Sequence, residues 1–596
     1  MSPSFKARQR RSKSVILAAP GAGLFIVALM LAITPLRSQD QKESYRLSNY
    51  GIGGMRDTTK QPPPRAIVGQ SGTPPLPKIE LPKFIITGVM QLHPPRVEKL
   101  PIVADEVRRR QTSASFLPSE GKSQSNWSLR DKARIPIRNA LAKSLTGFLL
   151  ISYGRFGTPY GLIVAGQQLD AFQYNVGASL SGSGGFAPNT DYFRGNAQIH
   201  ISAPLQSKEA VLHGAILRGN AWFSGWRYRL YGSVTPEAIR IQRAGGLAFS
   251  LNSPTEIPFE YTFKGTWRGV SQKDLSSFSE NTFYLTLNLS KTFASRKLDG
   301  EISYWANPIV SPFSSSQWTP SLLGIRLGVS SRVREQAELS GRVGLQLAQP
   351  NPSGYQLAPS IHGSISYDLS NDVVLILGFR SGYESRTIYD LLKINPYLGY
   401  STEIHLEREK YHIHSGMTFP LGGLLRGSIS LSVAQEDEFP EFVDSSSSGI
   451  WNVYYASGVT ITKLRFEILG QLSEVDRSSL SLELTSVNDP AFPKKVVPYV
   501  PISHMFLTWD HALMAELQAG IQIEYRSSVF TDWSNEHAIA GVLVINAHGE
   551  YVLSNAVHIR AEICNALNAT YYRWKGYRER PLFLSLGLTW APRTRG

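Results

Sequence analysis

The sequence predicts an all-β membrane protein: a large transmembrane antiparallel up-and-down β-barrel over residues 144–596, behind a largely disordered N-terminal arm. Three observations predict it. Apolar and polar residues alternate with a period of two along most of the last three quarters of the chain. The alternating runs are mostly about 9–13 residues long, twice a usual soluble strand and enough to cross a bilayer at a tilt. Composition agrees: 42% of residues are hydrophobic, yet mean hydropathy is −0.15 and only 18% are charged, so apolar residues are interleaved instead of run together. A sheet with one oily and one wet face needs that mixture. A helical bundle would need about 20 consecutive apolar residues per span.

Residues 1–38 form the first element. Lys6, Arg8, Arg10, Arg11 and Lys13 precede an uncharged apolar stretch from Val15 to Leu36, interrupted by Pro20-Gly21. This is the pattern of a signal peptide or signal anchor, with cations held on the cytoplasmic side while the apolar segment enters the translocon. Leu36 and Ser38 are the best cleavage pair. Cleaved or anchored, the segment exports the remainder of the chain.

Residues 39–143 are the second element, a basic Pro-rich arm expected in the periplasm. Ten prolines fall between Gln61 and Pro101, which removes ladder donors and favours an extended linker. Phe84 to Val89 is a short apolar island with strand character, and residues 131–144 allow a short helix that Pro136 limits. Residues 1–143 hold 24 Lys/Arg and 9 Asp/Glu, a surplus equal to the net +15 of the whole chain. The remaining residues are neutral in sum, so the basicity does not mark a nucleic-acid-binding fold. Cys564 is the only cysteine, which rules out an intramolecular disulfide and any CxxC zinc site.

Residues 144–596 are the third element. Phe283, Leu285, Leu287 and Leu289 alternate with Tyr284, Thr286, Asn288 and Ser290; Leu323, Ile325, Leu327 and Val329 alternate with Gly324, Arg326, Gly328 and Ser330. The same pattern recurs through Leu339–Leu347, Ile429–Val433, Leu517–Tyr525, Val557–Ile563 and Leu582–Trp590. Each run therefore has one apolar and one polar face. Sheet edges cannot face lipid, so the sheet must close. At roughly 20 residues per strand plus connection, this segment makes about 22 strands, with roughly 18–24 allowed. No repeat of fixed length marks a propeller or β-helix. Tyr153/Phe156/Tyr160, Trp222/Trp226, Tyr454/Tyr455 and Tyr571/Tyr572/Trp574/Tyr577 lie near strand ends, where interfacial girdles are expected.

The C-terminal hundred residues carry a resemblance. Pro498 to His504 is similar to the Pro-rich approach to a late strand in TonB-dependent receptors. Cys564-Asn565-Ala566-Leu567-Asn568-Ala569-Thr570-Tyr571-Tyr572 resembles the family's N-x-x-N-x-x-Y turn, and Arg573 to Pro581 resembles its aromatic approach to the final strand. The resemblance covers about a fifth of the barrel. It implies an outer-membrane location in a diderm bacterium, a lipid environment reached through the barrel-assembly machinery, and uptake of a small-molecule or oligosaccharide ligand. Phe84-Ile85-Ile86-Thr87-Gly88 resembles the opening of the family's plug domain, but that domain is far longer than the 57 residues between Gly88 and Thr146, and no box for a TonB-like energy-coupling protein is recognisable. The chain ends Trp590-Ala591-Pro592-Arg593-Thr594-Arg595-Gly596, leaving Trp590 as the aromatic of the last strand. The alternative is a structural or adhesive surface barrel, or a passive pore, with the arm occluding it.

No catalytic, cofactor-binding or metal residue is assigned. His405, His412 and His414 are the one suggestive group, since His412 and His414 share a strand face and His405 could approach across a hairpin; histidines of a polar lumen explain them equally well. Glu436, Asp437 and Glu438 read as solvated charge in a loop. There is no G-x-S-x-G elbow, P-loop or H-E-x-x-H motif, so the reading is of a non-enzyme that needs no cofactor and binds no nucleic acid.

Overall fold

The computed structural model of the protein describes residues 146–591, apart from 170–171, 255–256, 275, 311–318, 335, 352–353, 371–372, 401–402, 423 and 474. The expected signal, the arm with its Phe84–Val89 island and 131–144 helix, and the tail from Pro592 lie outside the described residues.

Within them the chain forms one main sheet of 23 strands, 22 long ones and the two-residue Ile309–Val310. The long strands run from 8 residues, as in Val557–Cys564, to 17 in Ser277–Phe293. Each pairs antiparallel with its sequence neighbours. The first, Thr146–Gly154, also pairs with the last, Phe583–Trp590, from Leu149↔Trp590 to Gly154↔Ser585. The sheet is a closed barrel, and closure removes the edge whose unpaired amides and carbonyls hydrocarbon would penalise.

The period of two decides what faces out. On Ser321–Arg334, Leu323, Ile325, Leu327 and Val329 pair laterally with Leu347, Leu345, Val343 and Gly341 on Ala337–Gln349. These leucines, isoleucine and valines are all exposed, Leu327 by 68%. Arg326, Arg342 and Gln346 take the opposite, inner face, where Gln346 is buried. Such an apolar outer surface is stable only in lipid, so the barrel spans a membrane.

One end carries mainly short turns, as at Ala294–Ser295, and the other carries long connections, including 385–406, 438–458, 489–502, 527–541 and 565–582. Long loops belong to the extracellular end of such barrels. These loops hold the helix Ile388–Ile394 and three small hairpins: Phe439–Val443 with Asn452–Ala456, Val529–Phe530 with Ala538–Ile539, and Tyr572–Trp574 with Tyr577–Arg578. The sequence pattern gives no sign of the helix. It is two turns long, too short for a 3.6-residue period to stand out, although its capping box is present: Thr387 accepts from the Asp390 amide while Asp390 accepts from that of Thr387.

The expected girdle is corrected in part. Tyr153 is 65% exposed on the outer face, as a girdle residue should be, and Trp590 is exposed there too. Trp574 and Tyr577 are instead buried in the core of the loops, and Trp222 and Trp226 pack against that core from the inner wall. Parity is the reason for the two tryptophans of Ile216–Arg229: they fall on the face opposite Leu217 and Ile201, which are exposed outward.

Candidate functional site

The site is the lumen, with a charged wall and a cap of inward-folded loops. The charge lies mainly on the strands from Arg296–Ala306 to Leu517–Arg526. Arg326 pairs with Glu301 at 2.5 Å and Arg342 with Asp299 at 2.7 Å. Arg380 contacts Glu409 through Nη2 and donates from Nε to His412 Nδ1 at 3.0 Å. Farther round, His504 lies 3.1 Å from Glu524, and Arg573 of a loop lies 3.6 Å from the same carboxylate. Neighbouring strands place opposite charges side by side because lateral partners in an antiparallel ladder share a face. The inner wall therefore presents both signs of charge at close range.

Loops 230–238, 385–406, 438–458, 489–502 and 565–582 share one apolar core. Trp451 is fully buried at its centre, touched by the rings of Tyr397, Tyr499, Trp574 and Tyr577. Tyr397 stacks on Tyr577 at 3.5 Å, and the Tyr577 hydroxyl donates to Gly449 O at 2.9 Å. Burial pushes the Tyr397 and Tyr577 phenols well above their ordinary range, so both stay neutral. Gly232, Gly449 and Gly576 meet backbone to backbone beneath them, with a Cβ on Gly449 falling 2.4 Å from Gly232 O.

A second tie joins loops 438–458 and 527–541. Trp533 Nε1 donates to Glu441 Oε2 at 2.6 Å, and Trp533 stacks on Phe492. Burial raises the Glu441 carboxyl above its ordinary value, against the pull of the Trp533 hydrogen bond. Next to Trp533, Asp532 organises its turn by accepting from Ser534 Oγ, the amides of Glu536 and His537, and the His537 ring.

His412 and His414 do share the inner face, their rings 5.7 Å apart. His405 does not join them: it stacks on Tyr455 and lies 2.8 Å from Glu438. Among the described residues no group of three or more His, Cys, Asp or Glu is placed to hold a metal. Glu436 and Asp437 are not in a loop but end the strand Leu424–Asp437, and Glu438 comes next at a φ of 58°. A bulge between Glu409 and Tyr411 lets both strands continue upward, which sequence spacing alone did not reveal.

No protein-family model matches the sequence. No curated protein matches it either. Solved structures do match. The copper transporter OprC superposes with a TM-score of 0.59 at 12% identity, over 75% of this chain and 80% of that one. The siderophore receptor PirA from Acinetobacter baumannii gives 0.60 at 7% identity, over 76% and 81%. The FrpB iron transporter from Neisseria meningitidis, F3-3 variant, gives 0.59 at 9%, over 76% and 82%. At such identities the likeness concerns the fold alone: the chain has the fold of a TonB-dependent receptor-like transmembrane β-barrel.

Proposed function

We propose that this chain is an outer-membrane barrel of a diderm bacterium that takes up a solute, its N-terminal segment 1–38 directing export and its arm 39–143 lying in the periplasm. The observation that carries the reading is the closed 22-strand barrel with a charged inner wall beneath extracellular loops. The fold likeness to a copper transporter, an iron transporter and a siderophore receptor supports the transport class and a small-molecule or metal-chelate ligand. Insertion would depend on the barrel-assembly machinery, with outer-membrane lipid around the apolar band. The test is uptake by a deletion strain compared with its complemented parent, for copper, iron chelates, cobalamin and glycans. Reduced uptake of one of them is the expected result. Unchanged uptake of all of them counts against transport.

The second reading is a surface barrel without energised transport. The shortness of the segment between Gly88 and Thr146 favours it, since a full plug does not fit there. Uptake that survives loss of a TonB-like energy-coupling protein, or is absent altogether, separates this reading from the first.

A further inference from the structure

Residues 385–400, in the connection between the strands Val373–Glu384 and Glu407–Gly422, leave the wall and contact a different part of it. They reach the strands Ile216–Arg229, Ile239–Asn252, Glu260–Lys273 and Ser277–Phe293. Those strands are five to eight positions away round the sheet, on the order of 25–40 Å of wall at about 4.8 Å per strand. Tyr228 Oη donates to Pro396 O at 2.6 Å. Arg240 Nη1 donates to Pro396 O at 3.0 Å and Leu398 O at 2.8 Å, and Gln272 Nε2 donates to Leu398 O at 3.3 Å. Glu280 accepts from the amides of Ile388 at 2.7 Å and Tyr389 at 3.1 Å. Arg268 Nη2 donates to Thr387 Oγ1 at 2.6 Å and faces Asp390 at 3.4 Å.

Tyr228, Arg240 and Gln272 lie one residue from the upper ends of their strands, and the contacts of Arg268 and Trp222 carry the loop down into the barrel. Arg268 lies five residues below the upper end of its strand, at Lys273, and its lateral partner Gly246 pairs in turn with Trp222. The Tyr389 ring lies 5.5 Å from the Trp222 ring. All three positions face inward, because Leu247, Trp267 and Phe283 on the alternate parity are exposed to lipid.

We propose that residues 385–400 are the constriction of this barrel, a permeation barrier built from one of its own extracellular connections and latched to distant strands by Arg240 and Glu280. Both latch residues are 0% exposed. A buried charge is tolerated only while its partners are in place. Arg240 has Asp274 at 2.7 Å together with the two loop carbonyls, and Glu280 has the two amides that open the helix, with Asn307 Nδ2 at 2.8 Å. The loop is thus held by charges whose hydrogen-bonding needs it completes, while Asp274 and Asn307 fix those charges on the wall. The wall it covers is partly apolar, with Ala244, Val270 and Phe278 buried in one cluster with Ile388, Leu391 and Leu398 of the loop; beside these it offers donors and one carboxylate at positions that match the loop backbone. The inference rests on the barrel fold and not on the uptake reading, since a constriction would serve a passive pore or a receptor equally.

The full-length protein reconstituted in planar lipid bilayers tests it. Two variants are compared with the parent: one with Ile388–Leu398 replaced by a short Gly-Ser bridge, and an Arg240→Gln/Glu280→Gln double substitution that keeps the loop. Heat-modifiable electrophoretic mobility selects preparations whose barrels are folded. The parent is expected to be closed or weakly conducting, and the loop replacement to raise conductance on the order of tenfold, as opening a 22-strand lumen should. The double substitution is expected to give frequent openings between the two levels. Parental conductance in the folded loop replacement overturns the proposal, as does a parent that already conducts at the level of an open lumen. Should the loop replacement fail to fold, the double substitution decides alone: parental conductance in it overturns the latch. Failure of uptake with a preserved conductance change would remove the transport reading and leave the constriction standing.

Discussion

Gly449 holds a φ of 74°, and a methyl group on it would fall 2.4 Å from the Gly232 carbonyl oxygen. Neither fault has an easy relief, because the neighbour is backbone, and a methyl group on Gly576 of a third loop would likewise fall 2.6 Å from the same carbonyl oxygen. Gly449→Ala should cost the cap about 1–3 kcal/mol. Hydrogen exchange in residues 230–234 and 445–451 should accelerate while the barrel strands stay protected; unchanged exchange in both loops would show that the three glycines do not pin them. Trp451→Ala removes the fully buried ring at the centre of the same core and should cost about 3–5 kcal/mol. Asp532 gives a pH dependence of definite sign. Burial raises its carboxyl, but the hydrogen bonds from Ser534, Glu536 and His537 outweigh that and hold it at about 2. A depressed carboxyl contributes stability above its unfolded value of roughly 4 and loses it as pH falls through the folded value. Loop 527–541 should therefore loosen between about pH 4 and 2, and Asp532→Ala should abolish that step in a pH-resolved exchange or proteolysis experiment. A step that persists in Asp532→Ala would assign the acid sensitivity to another group.

A single strand shows how much the alternation means. In Leu424–Asp437, Leu431 is 44% exposed on the lipid face and Ser430 lies one residue away on the lumen face. Leu431→Arg should destabilise the inserted barrel by about 2–4 kcal/mol, and Ser430→Arg by far less. Denaturant titration of the protein folded in vesicles measures both, and equal costs would contradict the assignment of faces. The sequence allowed this face to be named because a one-residue shift in register would turn every apolar side chain of the strand into the lumen. It did not allow the same for the loops. Trp222, Trp226, Trp574 and Tyr577 look like girdle aromatics in the sequence, and a tryptophan at a strand end satisfies a membrane interface and a folded cap equally well until its neighbours in space are known.

At the scale of the molecule, the contact between Thr146–Gly154 and Phe583–Trp590 turns a sheet into a barrel. Truncation after Leu582 removes the last strand and leaves two unpaired edges. Such a chain should lose the heat-modifiable band and fail to insert, since each unsatisfied backbone group in hydrocarbon costs several kcal/mol. A truncated chain that still inserted would show that closure is not what stabilises the wall. The lumen within this wall is not featureless. Arg326–Glu301, Arg342–Asp299 and Arg380–Glu409 line one arc of it, while Tyr228, Arg240 and Glu280 on another arc receive residues 385–400.

Alternation and run length, read from residue order alone, determined the class of fold, its strand number to within a few, and which side chains meet lipid. These are local properties, because the face of a strand residue depends only on parity and a strand's reach only on its length. The cap, the separation of His405 from His412 and His414, and the seating of Pro396 and Leu398 on Arg240 were decided by tertiary structure. Each joins residues dozens to hundreds of positions apart, and no periodicity carries that information: the partners are chosen by where a closed cylinder brings its loops together.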